Sequence, residues 1–269
     1  MFTLKKITEH SSLLPAITLF MTIVMFALFA ITAVLPSVLR LALATVNESG
    51  NSNSNTTVIT SNDIPTAKSV FDTGTMSLPS SVKGFIIYIP DEAHHPPTDN
   101  KTISTKNANY IPTNLIIPKG TAIAFVHGDP NHIHVEIVKD NSSSGQVAWQ
   151  TTPVSHPGGS DVKVLAPGSY GISDQKYDPM RGSIKVDGNT QSTGDLTVGG
   201  FFVPTDSVSK YKSDFASAGV QVLSEFNFIS KTVQKDISGP NTLLIYSTHM
   251  PIQDAIIKLT PLIKSLPYR

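Results

Sequence analysis

From residue 82 onward, short runs of β-branched and aromatic residues alternate with clusters of Gly, Pro and Asn. The runs GFIIYI, NLIIPKGTAIAFV, HIHVEIV, SDVKVLAPGSYGIS and GSIKV have the length and spacing of strands joined by turns. They predict a β-sandwich of two packed antiparallel sheets over residues 82–187. The polar stretch DGNTQSTGD then reads as a linker, centred on residues 188–195. Beyond it the period changes. LTVGGFFVP reads as a strand, and Val208, Tyr211, Phe215 and Ala218 fall on one helical face, capped by Thr205 or Asp206 and ended by Gly219. Val220, Val222, Phe226 and Phe228 alternate as a strand does, and TLLIYS reads as a buried strand. Ile252, Ala255, Ile256, Leu259, Ile263 and Leu266 return to helical spacing, with Pro261 expected to kink that helix. Residues 196–269 are therefore expected to form a separate small β-α-β-β-α domain, a short sheet covered on one face by two helices. The fold class is mainly β with an α/β tail.

The N-terminal pattern is of another kind. Residues 13–39 carry no charged side chain. As a helix such a run reaches about 40 Å, enough to cross a hydrocarbon core of about 30 Å, so a transmembrane anchor is expected. Lys5 and Lys6 precede it and Arg40 follows, which places residues 1–12 in the cytoplasm and the rest outside. A signal peptide cleaved near Ala42-Leu43-Ala44 is the competing reading, and it exports the remainder equally. The expected location is the cell membrane as a single-pass protein, or the exterior if the segment is cleaved. Residues 40–81 are rich in Asn, Ser and Thr with few large apolar side chains, the composition of a disordered stalk. Asn47, Asn55, Asn100 and Asn141 each head a glycosylation sequon.

Composition removes several classes of function. Lys plus Arg and Asp plus Glu each number 20, so no net field gathers nucleic acid. The chain has no cysteine, which excludes disulfides, thiol nucleophiles, thiolate zinc sites and iron–sulfur clusters. No Gly-x-Ser-x-Gly elbow is present, and VGGFFVP lacks the Lys-Ser/Thr of a phosphate loop, so neither a hydrolase nor a nucleotide binder is expected. No catalytic residue is identified. The expected partners are the membrane, through residues 13–39, and another extracytoplasmic protein.

Two stretches carry a resemblance. NYIPTNLIIPKGTAIAFVHGD, residues 109–129, and APGSYGISDQKYDPMRGSIKV, residues 166–186, resemble the opening and closing segments of cupredoxins, the blue copper domain family. The resemblance implies a Greek-key β-sandwich over residues 82–187, and residues 196–269 lie outside it. It also implies that the corner His127-Gly128-Asp129 leads to the first copper-binding His, for which His132 and His134 are both candidates. The family's ligand loop reads Cys-x-x-His-x-x-Met-x-Gly. Here Asp174 stands at the Cys position and Tyr177 at the second His position, while Met180 and Gly182 match. Asp174 and Tyr177 are thus degenerate ligand positions, and one His and the axial Met carry over.

A blue copper site needs a short copper–thiolate bond and two imidazoles, with Met as a long weak contact. Asp offers a hard oxygen, and neutral Tyr, with a pKa of about 10, is a poor ligand at neutral pH. A blue copper electron carrier is therefore not expected. Two readings of the site stay open. In one there is no metal: Asp174 and Tyr177 hydrogen-bond across the old pocket and Met180 fills its apolar wall. In the other, copper or zinc is held by His132, His134 and Met180, the two histidines sharing one strand face, with His127, Glu136, His156 or Asp174 completing the set. PNHIH is also similar to a cupin entry motif, but Glu136 follows the second His too closely for that family. His94 and His95 sit in a Pro-rich loop and His249 leads into the last helix, so none of the three reads as a ligand. The function expected is a membrane-anchored extracytoplasmic binding or interaction module; the alternative is a copper protein for electron transfer or metal handling.

Overall fold

The structure, a computed structural model, describes residues 63–90, 109–142, 144–155, 157–178, 180–210, 225–236 and 239–265. The expected cytoplasmic N-terminus, the apolar segment 13–39, and His94, His95 and His156 lie outside the described residues. Among the described residues no helix is long and apolar enough to cross a membrane.

In chain order the elements are helix α1 (Ala67–Thr73) and strands β1 (Thr75–Ser77), β2 (Val82–Ile89), β3 (Asn114–Lys119), β4 (Ala122–His127), β5 (Glu136–Asp140), β6 (Val147–Gln150) and β7 (Gly158–Gly159). Then come β8 (Lys163–Val164), β9 (Gly168–Asp174), β10 (Arg181–Gln191), β11 (Leu196–Pro204), a 3-10 helix (Thr205–Lys210), β12 (Asn227–Asp236), β13 (Gly239–Thr248) and helix α2 (Ile252–Lys264). One sheet has the order β1-β3-β10-β9-β5-β6; the other has the order β12-β13-β11-β2-β4-β7, with β8 also paired to β4. Their apolar side chains form one core. Phe125 of β4 stacks on Trp149 of β6 at 5.4 Å between ring centroids, bridging the two sheets, and burial of a side chain like Phe125 stabilises by about 1.5–3 kcal/mol. Trp149 keeps its indole N–H satisfied by donating to Asp161 Oδ2 at 3.0 Å.

The mainly β two-sheet architecture agrees with the expectation, and several features depart from it. Neither sheet is purely antiparallel: β1, β3 and β10 pair in parallel, as do β11, β2 and β4. The tail is not a separate domain either. β11 pairs with β2, β13 with β11 and β12 with β13, so these three strands extend the second sheet, and the described residues fall in one compact unit. The physical reason is the edge that β2 would otherwise offer: β2 is buried at all but one position, and a bare edge on so apolar a strand would be a pairing hazard. The expected linker is taken up by β10, which runs to Gln191, and Ser192 then donates to the Val82 carbonyl at 2.8 Å.

The end of the expected stalk is ordered as well. Thr66 accepts from the Ser69 N–H as N-cap of α1, and Gly74, at φ 67°, closes it in the left-handed region that favours glycine. Ile64, Ala67, Val70, Met76 and Leu78 are all buried, so a segment with few apolar residues still places most of them inward, with α1 packed on β12 and β13. In the tail, the expected helix over 205–218 begins as the 3-10 helix Thr205–Lys210, and its remainder lies outside the described residues. Helix α2 forms as its spacing predicts, with Pro261 inside it, and buries Ile252, Ala255, Ile256, Leu259, Leu262 and Ile263 against β2, β4 and β7. Gly159 makes this possible, since a Cβ there would lie 2.1 Å from Ile256 Cγ2.

Candidate metal centre

At one end of the sandwich the last residue of β4, the first of β5 and the last of β9 converge. The alternation in HIHVEIV carries His134, Glu136 and Val138 inward, each fully buried, while Ile133 is about half exposed. His134 is pinned by a bridge to Val154, its N–H donating to the Val154 carbonyl and its carbonyl accepting from the Val154 N–H. The β5–β9 register sets Glu136 directly opposite Asp174. Two buried carboxylates thus face each other across an antiparallel pair, an arrangement that repels unless a proton or a cation lies between them.

Asp174 resolves its part of that conflict with hydrogen bonds. Its Oδ2 lies 3.0 Å from His134 Nδ1 and accepts from the Val135 N–H, and its Oδ1 accepts from the N–H groups of Lys176 and Tyr177 at 2.6 and 2.8 Å. Burial would raise its pKa, but the His134 hydrogen bond and the two loop N–H donors outweigh it and hold the carboxyl below the usual range. Burial likewise opposes charge on His134, yet the Asp129 and Asp174 carboxylates on either side of the ring raise its pKa to about 9.

Glu136 goes the other way. Burial, reinforced by the Asp174 charge, pushes its pKa up to about 8, against the opposing pull of a Tyr110 hydrogen bond and of His134. Tyr110 O–H donates to Glu136 Oε2 at 2.5 Å, and burial beside this carboxylate raises the phenol well above its ordinary value. Gly182 lets that phenol approach, because a Cβ there would meet Tyr110 Cδ2 at 2.8 Å. The second oxygen, Glu136 Oε1, is fully buried, lies 3.9 Å from His134 Nδ1, and has no hydrogen-bond partner among the described residues. A ring nitrogen of His134, a Glu136 oxygen and an Asp174 oxygen lie within 4.8 Å of one another, the arrangement of three donors around one ion.

His132 sits at the rim. Its Nδ1 is 2.6 Å from Asp129 Oδ2, and its side chain is 33% exposed. Asp129 Oδ2 also lies 3.6 Å from His134 Nε2, so the expected pair of histidines straddles a carboxylate. Asp129 is fixed by accepting from the N–H groups of Asn131 and His132. His127 is buried, with Nε2 2.8 Å from the Val154 carbonyl and its ring 4.9 Å from that of His134. The Tyr177 ring lies 5.1 Å from His134 and 5.6 Å from His132. Met180 is fully buried in the core, its N–H donating to the Tyr177 carbonyl. His134, Asp174 and Tyr177 come together here, while His132 stays at the rim and Met180 in the core. Tyr110 was not singled out from the sequence and Asp129 only as part of a corner; an Asp ahead of Pro-Asn is a turn signal, whereas nothing local marks Tyr110.

No protein-family model and no curated protein matches the chain. Solved structures similar to it include a purple cupredoxin from Nitrosopumilus maritimus, 21% identical over 38% of this chain and 98% of that one, with a TM-score of 0.29. Reduced auracyanin from Roseiflexus castenholzii is 11% identical over 39% of this chain and 98% of that one, with a TM-score of 0.30. A copper-containing nitrite reductase from Thermus scotoductus is 21% identical over 42% of this chain and 28% of that one, with a TM-score of 0.28. The two-sheet fold rests on the strand pairing described above. The donor set does not fit blue copper: the chain has no thiolate, and a carboxylate faces His134.

Proposed function

We propose that the protein is a membrane-anchored, extracytoplasmic cupredoxin-like module whose pocket has exchanged blue copper ligation for a carboxylate–imidazole cluster, and that it acts by binding rather than as a one-electron carrier. One observation carries this reading. Where the resemblance calls for a thiolate, Asp174 lies 3.0 Å from His134 Nδ1 and is clamped by the N–H groups of its own loop. A hard oxygen there cannot supply the covalent copper–sulfur bond that tunes a fast redox site. The uncharged segment 13–39 supports the anchored, exported placement.

The test is Cu(II) titration of the full chain in mild detergent, followed by visible absorption and voltammetry. The wild type is expected to show neither thiolate-to-copper charge transfer nor a reversible one-electron couple. The double variant Asp174→Cys, Tyr177→His is expected to gain the charge-transfer band, because it restores the two residue types that the loop's resemblance to a copper-ligand loop calls for. A reversible couple in the wild type, or a folded double variant that binds copper without that band, overturns the reading.

A further inference from the structure

The pocket holds more than a hydrogen-bond network needs. We propose that His134 Nδ1, Glu136 Oε1 and Asp174 Oδ2 form a site for one divalent cation that takes mixed nitrogen and oxygen donors, of the Zn(II) kind, held without a redox role. The inference rests on reading this pocket as a carboxylate–imidazole cluster, and it adds the ligand.

Three observations carry it. The first is distance. His134 Nδ1 is 3.0 Å from Asp174 Oδ2 and 3.9 Å from Glu136 Oε1, and one donor atom from each of the three residues lies within 4.8 Å of the other two. A point about 2.4 Å from all three exists in such a triangle, and zinc–nitrogen and zinc–oxygen bonds of about 2.0–2.2 Å need only a small contraction. The second is Glu136 Oε1 itself, a fully buried oxygen aimed into the pocket with no hydrogen-bond partner among the described residues. A buried carboxyl oxygen left so is costly, and a cation that displaces the carboxyl proton satisfies it.

The third is the support behind the donors. Tyr110 O–H holds Glu136 Oε2 and so turns Oε1 toward His134. Asp129 Oδ2 lies 3.6 Å from His134 Nε2, on the far side of the ring, as an outer carboxylate does behind a metal-binding imidazole. The cross-strand facing of Glu136 and Asp174, unfavourable for two bare carboxylates, becomes favourable around a cation. Imidazole disfavours calcium and magnesium, and the lack of thiolate disfavours Cu(I); among divalent ions that take mixed nitrogen and oxygen donors, Cu(II) is the strong competitor of Zn(II) and Mn(II) the weak-binding control.

The experiment is calorimetric titration of the chelator-stripped full chain with zinc chloride and manganese chloride, paired with thermal unfolding. Expected are one Zn(II) per chain, a raised unfolding temperature, and at least about a tenfold loss of affinity in Glu136→Gln and in Asp174→Asn. His249→Ala, far from these donors in sequence and on the surface, is expected to bind as the wild type does. Should the carboxylate variants not fold, as judged by the near-UV signal of Trp149, Tyr110→Phe takes their place with an expected several-fold loss. A wild type that binds neither ion at one per chain, or affinity unmoved in a folded Glu136→Gln, overturns the inference. If copper also produces no charge transfer, the reading of the pocket as a non-blue cluster survives that failure; a blue band removes both.

Discussion

His132 and His134 stand two residues apart, both beside Asp129, yet the rim and the interior make different groups of them. At the rim, His132 meets Asp129 at 2.6 Å with a third of its side chain in water, so solvent screens the pair and can replace either partner. In the interior, His134, Glu136 and Asp174 are sealed from water, and every charge must be matched by a proton, a hydrogen bond or an ion. The residue types are nearly the same. Burial decides what they do.

The comparison breaks most readily at Asp174. Replacing it with Ala leaves the His134 imidazolium and the N–H groups of Val135, Lys176 and Tyr177 without their acceptor, so urea unfolding is expected to show a loss of about 3–5 kcal/mol. A loss below about 1 kcal/mol would make the interior no different from the rim.

pH gives the next largest effect. The folded chain holds a proton on Glu136 up to about 8 against an ordinary 4.5, and on His134 up to about 9 against 6.5. The folded state therefore binds more protons than the unfolded one between those values, and stability falls as pH rises through them, most steeply where both windows overlap. Asp174 has the opposite sign: its carboxyl is held below the ordinary 3.8, so its contribution is present above that value and is lost as pH falls through the folded pKa. The urea midpoint of the metal-free chain is expected to drop between about pH 6 and about pH 9, and a flat profile there would break the comparison. The smallest effect belongs to His132→Ala, expected to cost less than about 1 kcal/mol in the same measurement. A loss as large as that at Asp174 would mean the rim is not screened at all.

Much of this site was legible before any coordinates. The loop pattern around Asp174, Tyr177 and Met180 and the His-x-His run mark the two segments that carry the cluster; of their residues, His134, Asp174 and Tyr177 meet in it. The alternation that sends His134 inward sends Glu136 inward too, so a buried acid was readable from HIHVEIV. What local pattern could not express was which partner each group would find. Tyr110 reaches Glu136 across 26 positions of sequence, and the pairing of β11 with β2 joins residues more than a hundred apart.

Periodicity, turn residues and the lack of cysteine determined by themselves that this chain builds strands past residue 82, ends in an amphipathic helix, and cannot make a copper–thiolate bond. Those are properties of neighbours along the backbone or of composition. Only the tertiary structure decided that the tail completes the second sheet and that Glu136 faces Asp174 in a dry pocket beside His134. Both outcomes depend on strand register and exclusion of water, and neither exists until distant segments pack.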